Sequence, residues 1–274
     1  MIAVNVAVFV LYHVARMFYS LFADVQDFPL DHWLGTPADV DTLARRPWTL
    51  IAYMFFHQGI LHLLFNMLWL YWFGRIFRTY FSGRQLVNVY ILGGLTGALF
   101  YILSYNIFPA FAAAKHFAIL LGASAGVLGV VMAISFYVPR YTVNLLFFGR
   151  IQLIYIALAT LALDIVSIST SDNAGGHLAH LGGALFGYLF AANIHKGRDI
   201  TAWLGKFCIR TGSLFKSKPK LKVAYKRPPT DDREYNRKKN EDQQEVDRIL
   251  DKISKGGYES LTKKEKETLF HQKR

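Results

Sequence analysis

The chain reads as an all-α polytopic membrane protein, a bundle of six transmembrane helices followed by a small cytoplasmic helical tail. Three observations predict this. First, the 274 residues are 53% hydrophobic and only 18% charged, too few charges for the surface of a soluble globular chain. Second, the apolar residues fall into six stretches, each near the roughly 20 residues that span about 30 Å of hydrocarbon as a helix. Third, the charges are segregated. Residues 1–195 hold nine Lys/Arg and seven Asp/Glu, and residues 196–274 hold twenty-two and twelve. The net charge of +12 is thus mostly a property of the tail.

The six stretches lie near residues 1–22, 50–73, 86–107, 117–138, 149–169 and 177–195. The first lacks a basic leader and a small-residue cleavage site, so it is expected as a retained span and not a cleaved signal. The fourth and sixth are interrupted by Gly, Ser and His, polar positions that neighbouring helices must cover. Arg75, Arg78 and Arg84 lie at the connection after span two, Arg140 and Arg150 after span four, and Lys196 and Arg198 after span six. Cytoplasmic loops retain positive charge, so these connections and both termini are expected on the cytoplasmic side of a bacterial inner (plasma) membrane. The first loop, about residues 23–49, sets Asp24, Asp27, Asp31, Asp39 and Asp41 against Arg45 and Arg46. Phe28, Leu30, Trp33, Leu34 and Trp48 are spread through it. It reads either as a segment lying partly in the interface or as a plain extracytoplasmic loop.

The apolar spans stop at 196, which divides the chain into a membrane domain at 1–196, a basic juxtamembrane segment and linker at 197–239, and a small helical hairpin at 240–274. Residues 211–239, with the Pro228-Pro229 pair, have linker composition. In the hairpin, Val246, Ile249, Leu250 and Ile253 form one apolar face and Gly256-Gly257 ends the helix. Thr262 and Glu265 form a capping box for a second helix bearing Leu269 and Phe270. The tail mixes both signs without a Lys/Arg stripe interleaved with aromatics, so it is expected to lie in solvent against anionic lipid, with no nucleic-acid partner. The single Cys208 excludes an internal disulfide and anchors no metal constellation. No metal and no cofactor are expected.

Polar side chains inside a span are costly, which makes them functional candidates. They are His57, His62 and Asn66 in span two, Ser124 in span four, and His177 and His180 in span six. Spans two, four and six begin on the same extracytoplasmic side, so these residues can share one depth. His62 and Asn66 are four apart and project from one helical face, whereas His57 points elsewhere. In Gly122-Ala123-Ser124-Ala125-Gly126 the serine sits among residues with almost no side chain, which leaves its hydroxyl reachable and lets another helix approach. His180, Gly183 and Gly187 share a stripe at i, i+3 and i+7, suited to bringing the imidazole within the 2.6–3.2 Å or so that a Ser–His hydrogen bond needs. Each motif alone also has a packing interpretation. His177 is the rival base and is expected in the preceding loop.

Taken together, His62-x-x-x-Asn66, Gly122-Ala123-Ser124-Ala125 and Ala179-His180-x-x-Gly183-x-x-x-Gly187 resemble the rhomboid family of intramembrane serine proteases. His57, five residues before His62, and Trp48 in the first loop also match, and the resemblance covers about residues 1–195. It implies a six-helix bundle with a water-accessible cavity open to the extracytoplasmic side. It further implies Ser124 as nucleophile, His180 as general base, and an oxyanion hole made of the His62 and Asn66 side chains with the Ser124 backbone N–H. His57, Gly122, Gly126, Gly183 and Gly187 are supporting positions. No aspartate is expected as a third member, and no acidic residue deep in a span. Two positions depart from the family pattern. Thr49 follows Trp48 where an arginine is frequent, and Arg78 stands four residues after Gly74 where a glutamate is frequent.

The implied activity is hydrolysis of peptide bonds in or near transmembrane helices of other membrane proteins, within the lipid bilayer. The alternative is a non-catalytic rhomboid-like scaffold that binds transmembrane helices, against which the presence of both Ser124 and His180 argues. A transporter or channel is disfavoured because no inverted repeat is visible.

Overall fold

The computed structural model describes residues 1–22, 28–145, 149–171, 173–204 and 232–271. Asp24, Asp27, Cys208 and the Pro228-Pro229 linker lie outside the described residues. The chain divides into two compact units, Met1–Lys216 and Ser217–Arg274.

The larger unit begins with α1 (Ile2–Phe22), a peripheral helix that buries only Asn5 and Tyr12. The first loop contains three short helices, α2 (Pro29–Leu34), α3 (Val40–Arg45) and α4 (Thr49–Ala52). Asp39 caps α3, accepting from the Thr42 hydroxyl and N–H at 2.7 and 2.9 Å, and these bonds hold its carboxyl below the usual range. Trp33 stacks on Trp48, and the Arg46 guanidinium lies over Trp33 at 4.7 Å. Thr49, at the position where the family often has arginine, is buried and ties two segments. Its hydroxyl donates to the Arg46 carbonyl at 2.7 Å, and its carbonyl accepts from the Thr36 hydroxyl at 2.8 Å.

The second apolar stretch does not form one continuous helix from residue 50. After α4 comes a 3₁₀ turn, Tyr53–Phe55, and then α5 (Ile60–Tyr80). The helix therefore starts later and ends later than its apolar pattern suggests, and His62 and Asn66 fall in its first two turns. Ser82 and Gln85 make a reciprocal capping box that opens α6 (Gly83–Ile107). Arg78 takes up the space above Gly83, where a Cβ would meet its guanidinium at 2.5 Å.

A two-residue ladder pairs β1 (Thr36–Pro37) with β2 (Ile119–Leu120), and Ala38 N–H donates to the Ala118 carbonyl at 3.1 Å. The first loop is thereby fastened to the segment that leads into α7 (Ser124–Tyr137), whose residues 125–135 are all buried. The connection after α7 is a hairpin of β3 (Thr142–Leu145) and β4 (Gly149–Gln152). It leads to α8 (Leu153–Thr170) and α9 (Ala174–His195). Among the described residues α7 packs most extensively on α9 and α6, so it is the central helix. Beyond α9, Asn88 donates to the Thr201 carbonyl at 3.1 Å and Gln85 to Asp199 at 3.0 Å, which folds the juxtamembrane segment back onto the start of α6.

Among the described residues, four helices are long and apolar enough to cross a membrane: α1, α5, α6 and α8. The central α7 is apolar but only 14 residues long. Its termini need not reach the water on both sides when other helices surround it.

The smaller unit contains α10 (Asp232–Gly256) and α11 (Lys263–His271). Helix α10 begins well before residue 240, so the linker composition at 232–239 does not prevent a helix. Gly257 takes φ +73° and its N–H bonds the Ile253 carbonyl at 2.8 Å, ending α10. The Thr262–Glu265 capping box is present, with the Glu265 carboxylate accepting from the Thr262 N–H at 2.7 Å. Ile249 is buried, but Leu250 is 49% exposed, so the apolar face of α10 is narrower than its sequence implies.

Candidate active site

Glycines decide how closely the three central helices meet. A Cβ on Gly183 would lie 2.1 Å from the Ala125 carbonyl oxygen, and one on Gly187 would lie 2.3 Å from that of Gly129. One on Gly126 would lie 2.6 Å from the Tyr90 carbonyl oxygen of α6. These are backbone atoms that cannot rotate away, so only glycine permits the separation. The stripe that carries His180 is therefore pressed against the first turns of α7, where Ser124 begins the helix.

The approach to Ser124 is equally constrained. The Gly122 N–H donates to the Tyr53 carbonyl at 2.9 Å, and the Ala123 N–H donates to Nε2 of His57 at 3.2 Å. His57 is buried, with its ring 5.2 Å from that of His62. Gly122 adopts φ +119°, and a Cβ there would sit 2.7 Å from Cε1 of His62. This glycine is needed both for its backbone conformation and for the approach of the imidazole. The result is a chain turn that presents the start of α7, whose first N–H groups have no intrahelical acceptor.

His62, Asn66, Ser124 and His180 line one cavity of about 230 Å³, together with Phe65, Trp69, Val127, Leu128, Thr160 and Asp164. His57 stands behind this cavity and supports its wall. The Asn66 amide donates to the His62 carbonyl at 2.8 Å, using one of its two N–H groups. A larger cavity of about 490 Å³ between α5, α8 and the β3–β4 hairpin is lined by Trp69, Trp72, Arg75 and Tyr141. Its lining carries no Ser, Cys or His.

Two expectations are corrected here. An acidic residue does lie inside a span: Asp164 of α8 is only 6% exposed. Leu153, Ala157 and Asp164 are the buried residues of α8 and share one face, turned toward the bundle. The Asp164 Oδ1 accepts from Nδ1 of His180 at 2.7 Å, so an aspartate does stand beside the expected base. Second, His177 lies within the first turn of α9 rather than in a loop, and its Nδ1 bonds the same Oδ1 at 2.8 Å. Helix α9 begins earlier because Asn173 caps it, accepting from the Gly176 N–H at 3.2 Å. His180 lines the cavity with Ser124, and His177 does not. The sequence signal for Asp164 was a single carboxylate in an otherwise apolar run.

A family model described as "Rhomboid domain" matches residues 44–197. This chain belongs to the rhomboid family. Among similar proteins, RHOMBOID-like protein 12, mitochondrial, of Arabidopsis thaliana is 31% identical over 158 residues, 55% of this chain and 47% of its own length. Rhomboid protein 1, mitochondrial, of Saccharomyces cerevisiae is 28% identical over 149 residues, 54% of this chain and 42% of its own length. The chain spans about half the length of the curated relatives it matches. A second match, to a family of unknown function (DUF6576), covers residues 230–271. The rhomboid domain and its apolar helices make the chain a multi-pass membrane protein.

Proposed function

We propose that this rhomboid is an intramembrane serine endopeptidase that cuts peptide bonds in or near transmembrane helices of other proteins. The observation that carries this reading is the shared cavity, in which a serine at a helix N-terminus and a carboxylate-bonded histidine meet His62 and Asn66. Membership of a family whose members are generally serine proteases supports it. In this reading α7 and α9 join the four long apolar helices as spans, and both termini are cytoplasmic.

The reaction is acyl transfer to water. With Nδ1–H of His180 donated to Asp164, Nε2 is left unprotonated, and it takes the proton of the Ser124 hydroxyl. The alkoxide attacks the scissile carbonyl, and the imidazolium returns the proton to the leaving amine. Water then hydrolyses the acyl-enzyme. The tetrahedral oxyanion is held by the Ser124 N–H, the second amide N–H of Asn66, and His62. A peptide bond inside a helix is shielded, so substrates whose helices are loosened by Gly, Pro or small residues are favoured. Asp164 is a positioning residue that acts through His180.

The test uses the purified full chain, with Ser124→Ala and His180→Ala, against a single-span reporter and a fluorophosphonate label. Cleavage and labelling by wild type alone support the reading. Cleavage that survives Ser124→Ala overturns the mechanism. Binding of the reporter without cleavage by wild type favours a scaffold.

A further inference from the structure

His177 is the one polar side chain of this cluster that the proposed chemistry does not use. It nevertheless takes the same carboxylate oxygen as His180, with Nδ1 distances of 2.8 and 2.7 Å. One donor atom from each of Asp164, His177 and His180 lies within 4.8 Å of the other two. The second carboxylate oxygen, Oδ2, is buried with no hydrogen-bond partner. A negative group set in a membrane bundle, with half its acceptor capacity unused, is a place where a positive ion is stabilised. The histidine side chains are 20% and 23% exposed and that of Asp164 is 8% exposed, so the imidazoles form the open side and the carboxylate the floor.

We propose that Asp164, His177 and His180 form a site for a zinc-class divalent cation that silences the catalytic base. Two imidazole nitrogens and one carboxylate oxygen are the donor types of a three-ligand zinc site with an open fourth position. Zinc bonds of about 2.0–2.2 Å imply ligand atoms about 3.4 Å apart in a tetrahedron, so each imidazole nitrogen, now 2.8 or 2.7 Å from the shared carboxylate oxygen, has to draw back from it by only roughly 0.6 Å. A hard cation such as Mg²⁺ prefers oxygen ligands and is discriminated against.

The consequence for catalysis follows from the tautomer. A neutral imidazole has one N–H. When the metal takes the lone pair of His180 Nδ1, the proton formerly there resides on Nε2, so each histidine keeps its proton count. The nitrogen that had faced the cavity as an acceptor becomes a donor, and it cannot accept the proton of Ser124. Zinc thus inhibits without touching the nucleophile. The inhibitory part rests on the proteolysis proposed above, whereas binding of the ion does not.

The experiment uses the full chain in detergent micelles and measures Zn²⁺ binding by equilibrium dialysis alongside reporter cleavage, with Mg²⁺ as control. Wild type should bind Zn²⁺ and lose cleavage as it does so, and chelation should restore the cleavage. His177→Ala, which lies outside the proposed catalytic groups, should cleave as wild type does without metal and should require at least roughly tenfold more Zn²⁺ for inhibition. His177→Cys, which restores a zinc donor, should recover sensitivity. Equal Zn²⁺ affinity and equal inhibition of wild type and His177→Ala would overturn the site. Absence of cleavage in metal-free wild type would sink the protease reading alone, because the dialysis comparison still decides whether the ion binds.

Discussion

The Asp164 carboxylate of α8 and Nδ1 of His180 on α9 are joined by a 2.7 Å hydrogen bond beside Ser124. The bond fixes which imidazole nitrogen carries the proton, and it places a negative charge where an imidazolium forms during the proposed reaction.

Replacing Asp164 with asparagine keeps the shape but removes the charge and offers a donor where an acceptor stood. We expect kcat to fall on the order of 10²–10⁴-fold with little change in KM. Initial rates of reporter cleavage, taken with a chelator present, measure this. Wild-type rates in D164N would remove Asp164 from the mechanism.

The seam between α7 and α9 should tolerate no methyl group. Gly183→Ala places one 2.1 Å from a backbone oxygen, which is expected to cost about 1–3 kcal/mol through overpacking. Gly59→Ala is the control, because a Cβ there meets only the Cβ of His62 at 4.0 Å. Thermal unfolding in micelles should separate the two. Similar transition temperatures would mean that the helices can part at little cost.

Gly122→Ala combines a φ of +119° with a clash against His62. Backbone strain of this kind costs about 1–3 kcal/mol, and the displaced imidazole should also lower kcat. We expect a rate loss larger than the loss of folded protein explains, read by comparing kcat per folded molecule with wild type. A variant that is merely less stable would contradict the role of this turn in placing His62.

In the tail, the Lys252 ammonium beside Glu265 and the Thr262 N–H and hydroxyl hold the Glu265 carboxyl down at about 2, against an ordinary value of 4.5. A carboxyl lowered by folding contributes stability above its unfolded value, and that stability is lost as pH falls through the folded value. Hydrogen-exchange protection at the end of α10 and in α11, corrected for intrinsic rates, should therefore be level above about pH 5 and decline from about pH 4 toward 2. Glu265→Gln should lower protection at neutral pH and flatten the decline. An unchanged profile in that variant would rule out this capping contact as its source.

Much of this site was legible because its constraints are local. Small residues around Ser124, the four-residue spacing of His62 and Asn66, and the glycine stripe after His180 are properties of single helices, and helical periodicity reads them directly. Helix starts were less legible. Hydropathy reports which residues are apolar, not where backbone N–H groups begin to find partners, so Leu50–Phe56 looked continuous with α5 and His177 looked like loop. Asp164 was missed for a related reason. An apolar run hides one carboxylate, and which face it occupies matters only once another helix is there.

The sequence by itself determined the membrane class, the order of the helices, and the serine, histidine and asparagine around which a site is built. These follow from composition and from short-range periodicity. Only the tertiary structure decided that one carboxylate on α8 serves two histidines on α9, that Gly122 and His62 share one space, and that Ser124 begins its helix inside the bundle. Those relationships join residues far apart in the chain, and they exist because glycines let three helix backbones come close enough for side chains from a fourth and fifth to converge.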